Sequence, residues 1–319
     1  MALAEKPYAL VIHGGAGTLT RDAITSEVEA GIRADLDRAL SAGEAVLSAG
    51  GTSLDAVVAA VKLLEDSPHF NAGHGSVFTH EGHVEMDASI MHGPTRSAGA
   101  VAGLRTVRNP IDLARRVMDD SPHVMLIGDG AERFAAERGI ERVDPEYFRT
   151  ERRWQQLQDV RAREQTRAAL PPEARYGTVG AVALDQHGAL AAATSTGGMV
   201  NKRWGRVGDV PVLGAGTWAE AGCAVSATGW GEYFIRLGVG HEICSRMRIG
   251  GQALAEAADA VILKDLPALG GDGGVIAMDA QGGLRMPFNT SGMYRGWIAA
   301  DGSRGVAIFD SEADPDGRD

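Results

Sequence analysis

What most constrains this 319-residue chain is a pair of strand–turn–strand patterns set among amphipathic helices, with no regular strand–helix–strand alternation. Residues 179–184 (Val-Gly-Ala-Val-Ala-Leu) lead through Asp185-Gln-His-Gly188 into a second small apolar run over 189–194. In the same way a glycine-containing turn over 279–283 joins 274–278 to 284–288. Further strands are predicted over 8–13, which runs into Gly14-Gly15-Ala16-Gly17, and over 83–90 and 98–104. The 3.6-residue pattern predicts a helix over 27–47 that stops at Gly50-Gly51. A second opens at Thr52, with Asp55 three residues on, and runs through Val57, Val58, Val61 and Leu64 to Pro68. Asn109-Pro110 signals a third, and others are expected from about 232 and over 252–264. Local hairpins mixed with helices predict α+β layers in preference to a doubly wound parallel sheet.

The length suffices for one large domain or two small ones. Forty-three glycines without a Gly-X-Y period point to tight turns and close backbone approaches. A formal net charge of -11 argues against nucleic acid or an anionic membrane surface as partner. A small zwitterionic substrate is compatible with that balance. Cys223 and Cys244 are too few for a disulfide framework and are expected as small buried hydrophobes. No apolar run approaches the ~18 residues that span a bilayer. The start, Met1-Ala-Leu-Ala-Glu-Lys-Pro7, lacks the regions of a signal peptide, so a cytoplasmic protein is expected. Residues 143–176 are dense in Arg, Glu and Gln, contain Pro171-Pro172, and read as a mobile, partly helical linker.

Gly177-Thr178 stands where polar linker meets apolar strand. An interior threonine hydroxyl has nothing to take its proton. Breaking the preceding peptide bond would give Thr178 a free α-amine with a reference pKa near 7.7–8.0, and one residue would then supply both nucleophile and base.

The segment Gly177-Thr-Val-Gly-Ala-Val-Ala-Leu-Asp185 resembles the autocleavage site of the plant-type asparaginases, also called isoaspartyl peptidases. The resemblance continues through His13-Gly-Gly-Ala-Gly17, Phe70-Asn-Ala-Gly-His-Gly75, Ala193-Thr-Ser-Thr-Gly-Gly198, Gly205-Arg-Val-Gly-Asp209, Thr228-Gly229, Pro287-Phe-Asn-Thr290 and Met293-Tyr-Arg295. It therefore spans nearly the whole chain. What it implies is a single αββα sandwich of the N-terminal nucleophile type, residues 1–319, autocleaved into 1–177 and 178–319 with 143–177 as a flexible linker. The implied activity is hydrolysis of β-aspartyl dipeptides and of the side-chain amide of asparagine. Thr178 matches the nucleophile and Thr196 the hydroxyl beside the new amine. Arg206 and Asp209 match the grip on the substrate's carboxylate and ammonium, a pairing that suits a guanidinium fork and a carboxylate. Thr228 and Gly229 match the oxyanion hole, Gly231 the pocket wall, and Asn71 a supporting asparagine. No cofactor is implied for the chemistry. A structural sodium on the carbonyls of Leu64, Glu65, Ser67, Phe70, Ala72 and His74 is implied, as is a dimer of cleaved heterodimers. Trp204, Trp218 and Trp230 lie beside the substrate motifs and are expected to reshape the pocket.

Three other readings compete. A glycosylasparaginase-like N-glycan amidase is the nearest rival within the broader superfamily, but its usual Asp-Thr cleavage pair and secretory character are absent here. Five of nine histidines fall between His69 and His92, which raises a zinc site on His80, His83 and His92. A glycine-rich binding protein that never cleaves is the third.

Overall fold

A computed structural model of the protein describes residues 7–17, 19, 21, 24–166 and 177–312. Its first half contains β1 (Ala9–Gly17), α1 (Ser26–Ser48), α2 (Ser53–Asp66), β2 (Met86–His92), β3 (Ala98–Leu104), α3 (Pro110–Asp120), β4 (Met125–Ile127), α4 (Gly128–Glu137) and α5 (Glu151–Gln165). The second half contains β5 (Val179–Leu184), β6 (Leu190–Thr196), β7 (Thr217–Glu220), β8 (Cys223–Gly229), α6 (Gly231–Leu237) and α7 (Val239–Arg248). It ends with α8 (Leu254–Asp259), β9 (Gly273–Asp279), β10 (Leu284–Arg285), β11 (Gly292–Ile298) and β12 (Arg304–Phe309). Most of the sequence-predicted elements are present. Thr52 caps α2 by accepting the Asp55 N–H at 3.2 Å. Asn109 precedes α3 without a side-chain capping bond and instead donates to Asp66. β10 is shorter than expected because Pro287 has no N–H for the ladder.

The strands form an eight-stranded sheet, order β12-β11-β1-β5-β6-β2-β3-β4, and a four-stranded sheet, order β10-β9-β8-β7. Pairing is antiparallel except between β3 and β4. Side chains alternate between faces along a strand, and here both faces are buried. In β1, Leu10 and Ile12 face one core with Leu36, Leu40, Val57 and Leu64 of α1 and α2. Ala9 and Val11 face a second core with Val182, Ala192, Ala224, Ile276 and Met278, drawn from strands of both sheets. The odd residues Val225, Val275 and Ala277 face a third with Ile243, Ala257 and Val261.

Two expectations need correction. Cys223 and Cys244 are buried, as foreseen, but joined in a disulfide, because Cys223 points from β8 into the third core where α7 packs. Of the stretch read as a linker, α5 packs Leu157 and Val160 into the first core beside Phe148. With the partly buried Trp154, these few apolar side chains dock an otherwise polar helix. Residues 167–176, with Pro171-Pro172, lie outside the described residues.

Candidate active site

Parity places the polar end of the layer between the sheets. The positions that carry Val182 and Leu184 in β5 continue back to Gly180 and Thr178, and those of Ala192 in β6 continue forward to Thr194 and Thr196. Thr178 and Thr196 are thereby neighbours, with hydroxyls 3.1 Å apart. The Gly177 carbonyl receives three donors: Thr178 Oγ at 2.7 Å, Thr196 Oγ at 3.1 Å and Asn71 Nδ2 at 2.9 Å. Asn71 is itself fixed, donating to the Gly198 carbonyl at 2.7 Å and accepting the Val77 N–H at 2.9 Å. A Cβ on residue 177 would stand 2.9 Å from Asn71 Cβ, so glycine is what allows this approach. Gly198 N donates to Thr196 Oγ at 2.9 Å. The Gly177 carbonyl therefore sits among donors that would stabilise negative charge on it.

Gly177, Thr178, Thr196, Gly198, Met199, Arg206, Gly208, Asp209 and Gly229 line one cleft, whose free space of about 10 Å³ is roughly that of a water. With the 177–178 bond intact it holds no amino acid. Arg206 forks onto Glu232, at 2.9 Å from both Nε and Nη2. Gly231 lies against both substrate-grip candidates: a Cβ there would stand 2.7 Å from Asp209 Oδ1 and 2.9 Å from Arg206 Nη2. Asp209 is buried with Oδ2 unpartnered, and burial pushes its carboxyl up to about 7 against the pull of Arg206. Such a group gains from an arriving ammonium. Thr228 and Gly229 end β8, and Thr228 Oγ accepts the Ala16 N–H at 3.2 Å.

Leu64 and Glu65 lie in the last turn of α2, and Ser67, Phe70 and Ala72 follow in the loop before a tight turn over Gly73–Gly75. A Cβ on Gly73 would stand 2.3 Å from the Glu65 carbonyl oxygen, and one on Gly75 would stand 2.0 Å from that of Phe70 and 2.9 Å from that of Ser67. Glycines thus keep a carbonyl-lined cradle open, which suits a hard cation. The Ala72 carbonyl accepts the Gly75 N–H, and the His74 ring packs on Tyr147. The zinc set does not assemble: His80 bonds Asn201, His92 bonds Thr95, and no group of three His, Cys, Asp or Glu suited to a metal exists among the described residues. None of the three tryptophans lines the cleft: Trp204 is exposed, Trp218 packs on His241 and Trp230 on Tyr233.

Sequence reasoning missed Glu232, the partner of Arg206, and Lys202, which is buried and donates to the Gly197 carbonyl at 3.0 Å beside Thr196. Glu232 stands three residues after Gly229 and could have been suspected as the counter-charge of Arg206. A lone lysine in a loop carries no such signal.

A family model described as Asparaginase matches residues 6–308. The chain is 49% identical over 311 residues to the isoaspartyl peptidase of Escherichia coli (strain K12), covering 96% of this chain and 97% of that protein. It is 42% identical over 296 residues to the plant-type L-asparaginase of Pyrococcus abyssi, covering 89% and 94%. With the isoaspartyl peptidase/L-asparaginase of Bos taurus it shares 41% identity over 297 residues, covering 92% and 93%. These similarities place the chain among the hydrolases of the N-terminal nucleophile class. Within that class it belongs to the asparaginase family.

Proposed function

We propose that this protein cleaves its own 177–178 bond and then hydrolyses β-aspartyl dipeptides and the side-chain amide of asparagine. The observation that carries the proposal is the Gly177 carbonyl, bonded by the hydroxyl of the next residue and by two further donors. Thr178 Oγ attacks that carbonyl carbon while its proton passes through Thr196 toward the departing nitrogen. The C–N bond breaks, leaving an ester on Thr178 Oγ and an amine on its α-carbon. Water opens the ester, giving a Gly177 carboxylate and a free Thr178 hydroxyl.

In turnover the new amine takes the Thr178 hydroxyl proton and Oγ attacks the β-carbonyl of the substrate. Thr228 and Gly229 hold the oxyanion, Arg206 takes the α-carboxylate in place of Glu232, and Asp209 takes the α-ammonium. Ammonia or the amino acid leaves, and water frees aspartate. Asparagine and a β-aspartyl dipeptide present the same two charged groups, so one grip serves both. The three cores are read as helix, sheet, sheet and helix layers, the αββα sandwich, with the two fragments sharing one body. The carbonyls around Gly73 and Gly75 would hold an alkali ion that stiffens the loop carrying Asn71, and no chemical step passes through it.

Wild type and Thr178→Ala test the reading. On a denaturing gel wild type resolves into 1–177 and 178–319, and it releases leucine from β-Asp-Leu. The variant stays one folded, inactive chain. Two fragments from Thr178→Ala, or turnover by it, would overturn the reading.

A further inference from the structure

We propose that His13 is a positioning residue for the nucleophile, its Nδ1–H clamping the main-chain carbonyl of Thr178 and so aiming the freed N-terminus. This inference rests on the hydrolase reading above and concerns the same site. His13 lies on β1 opposite Gly180 of β5, on the face turned toward the second sheet. Its side chain is fully buried. Nδ1 is 3.1 Å from the Thr178 carbonyl oxygen and Nε2 is 2.9 Å from Ser226 Oγ on β8.

Counting protons fixes the tautomer. A carbonyl oxygen only accepts, so Nδ1 carries the hydrogen. Burial lowers His13 to about 3, so the ring has one proton and Nε2 must accept from Ser226. Ser226 in turn accepts from Thr194 at 2.7 Å, Thr194 from Thr217 at 2.5 Å, and Thr217 from Ser89 at 2.8 Å. The single proton of Ser89 is shared between Thr217 and the carbonyl of Val210, 2.6 Å away, so the directed chain is counted from Thr217. One directed chain of hydroxyls thus runs between the sheets from Thr217 of β7 to the imidazole and on to Thr178. Gly180 leaves room for it: a Cβ there would stand 2.5 Å from His13 Nε2 and 2.0 Å from Ser226 Oγ.

The clamp matters most after cleavage. In the intact chain Thr178 is also held through Gly177, whose carbonyl Asn71 and Thr196 grip. Once that bond is cut, β5 pairing starts only at Val179, and the His13 bond is what fixes the plane of the first peptide. The new amine sits on the Thr178 α-carbon and Oγ on the adjoining β-carbon, and a shift of about 1 Å in such a group can cost on the order of a hundredfold in rate.

The test compares His13→Asn with His13→Gln, each assayed as kcat per mole of chain bearing an N-terminal Thr178, with wild type and Thr178→Ala alongside. Asparagine places its amide N–H where Nδ1 stood and can restore the bond to Thr178. Glutamine reaches toward the Nε2 position and Ser226. The expected result is a kcat within about threefold of wild type for His13→Asn and a loss on the order of tenfold or more for His13→Gln. KM should be unchanged in both, because Arg206 and Asp209 are not touched. Imidazole ¹⁵N shifts of the wild-type protein should show the Nδ1–H tautomer, a readout that needs no variant to fold. His13→Gln equal to or better than His13→Asn, or an Nε2–H tautomer, would overturn the proposal while leaving the hydrolase reading intact. A wild type that neither cleaves itself nor turns over substrate would overturn both.

Discussion

Replacing Asn71 by Asp tests the donor set around the scissile carbonyl with almost no change of shape. The aspartate keeps the oxygen that accepts the Val77 N–H but exchanges the amide NH₂ for a second oxygen, 2.9 Å from the Gly177 carbonyl oxygen. As negative charge grows on that oxygen during attack, a donor has become a like charge. Losing one such donor typically costs about 2.7–4 kcal/mol, a factor of roughly 10²–10³. Asn71→Ala should therefore mature about a hundredfold slower than wild type, and Asn71→Asp about a thousandfold slower or not at all. Losing the bond to Gly198, and in Asn71→Ala also that from Val77, costs roughly 1 kcal/mol each in stability, which thermal unfolding measures separately. The assay is the appearance of the 178–319 fragment over time in freshly purified protein, followed by intact mass. Asn71→Asp maturing at the wild-type rate, with its fold preserved, would refute the donor role.

Three other outcomes are expected. Burial raises Asp209 to about 7, so the anion proposed to meet the substrate ammonium is lost as pH falls through that value; the advantage of wild type over Asp209→Asn in kcat/KM should shrink below it, and a constant ratio across the range would count against the assignment. Glu65 is raised from 4.5 to about 8 by burial, more than the Ser195 and Ile111 bonds lower it. The folded chain therefore keeps this proton where the unfolded chain has lost it, and the contribution to stability falls as pH rises from 4.5 to 8. Glu65→Gln should accordingly gain in Tm relative to wild type across that window, whereas a pH-independent difference would contradict it. Reducing the Cys223–Cys244 bridge, which closes 21 residues, should lower stability by about 3 kcal/mol without separating the two fragments, since both cysteines lie in 178–319; reactive thiols in native, unreduced protein would contradict the bridge.

Much of this was legible from residue order, and the misses share a cause. β3 falls at 98–104 and β5 at 179–184, as their apolar patterns require, and the Thr52 cap sits where its spacing placed it. Local pattern suffices for such elements because their determinants lie within a few residues. Contacts set by the mutual placement of distant strands were not legible. Cys223 meets Cys244 only because α7 packs on β8, and His13 meets Ser226 only because two sheets face each other. The stretch holding α5 was read as partly helical, but its docking was not foreseen because its burial rests on a few side chains in a charged sequence. The grouping of Thr178, Thr196, Arg206, Asp209 and Gly229 around one cleft was reached through family resemblance. Periodicity alone would have left Thr178 an ordinary strand-start threonine.

The most direct measurement is N-terminal sequencing and intact mass of purified protein, taken together with its turnover of β-Asp-Leu. The account predicts that activity tracks the amount of chain beginning at Thr178 with a free amine. Full activity in a preparation whose 177–178 peptide bond is unbroken would contradict it.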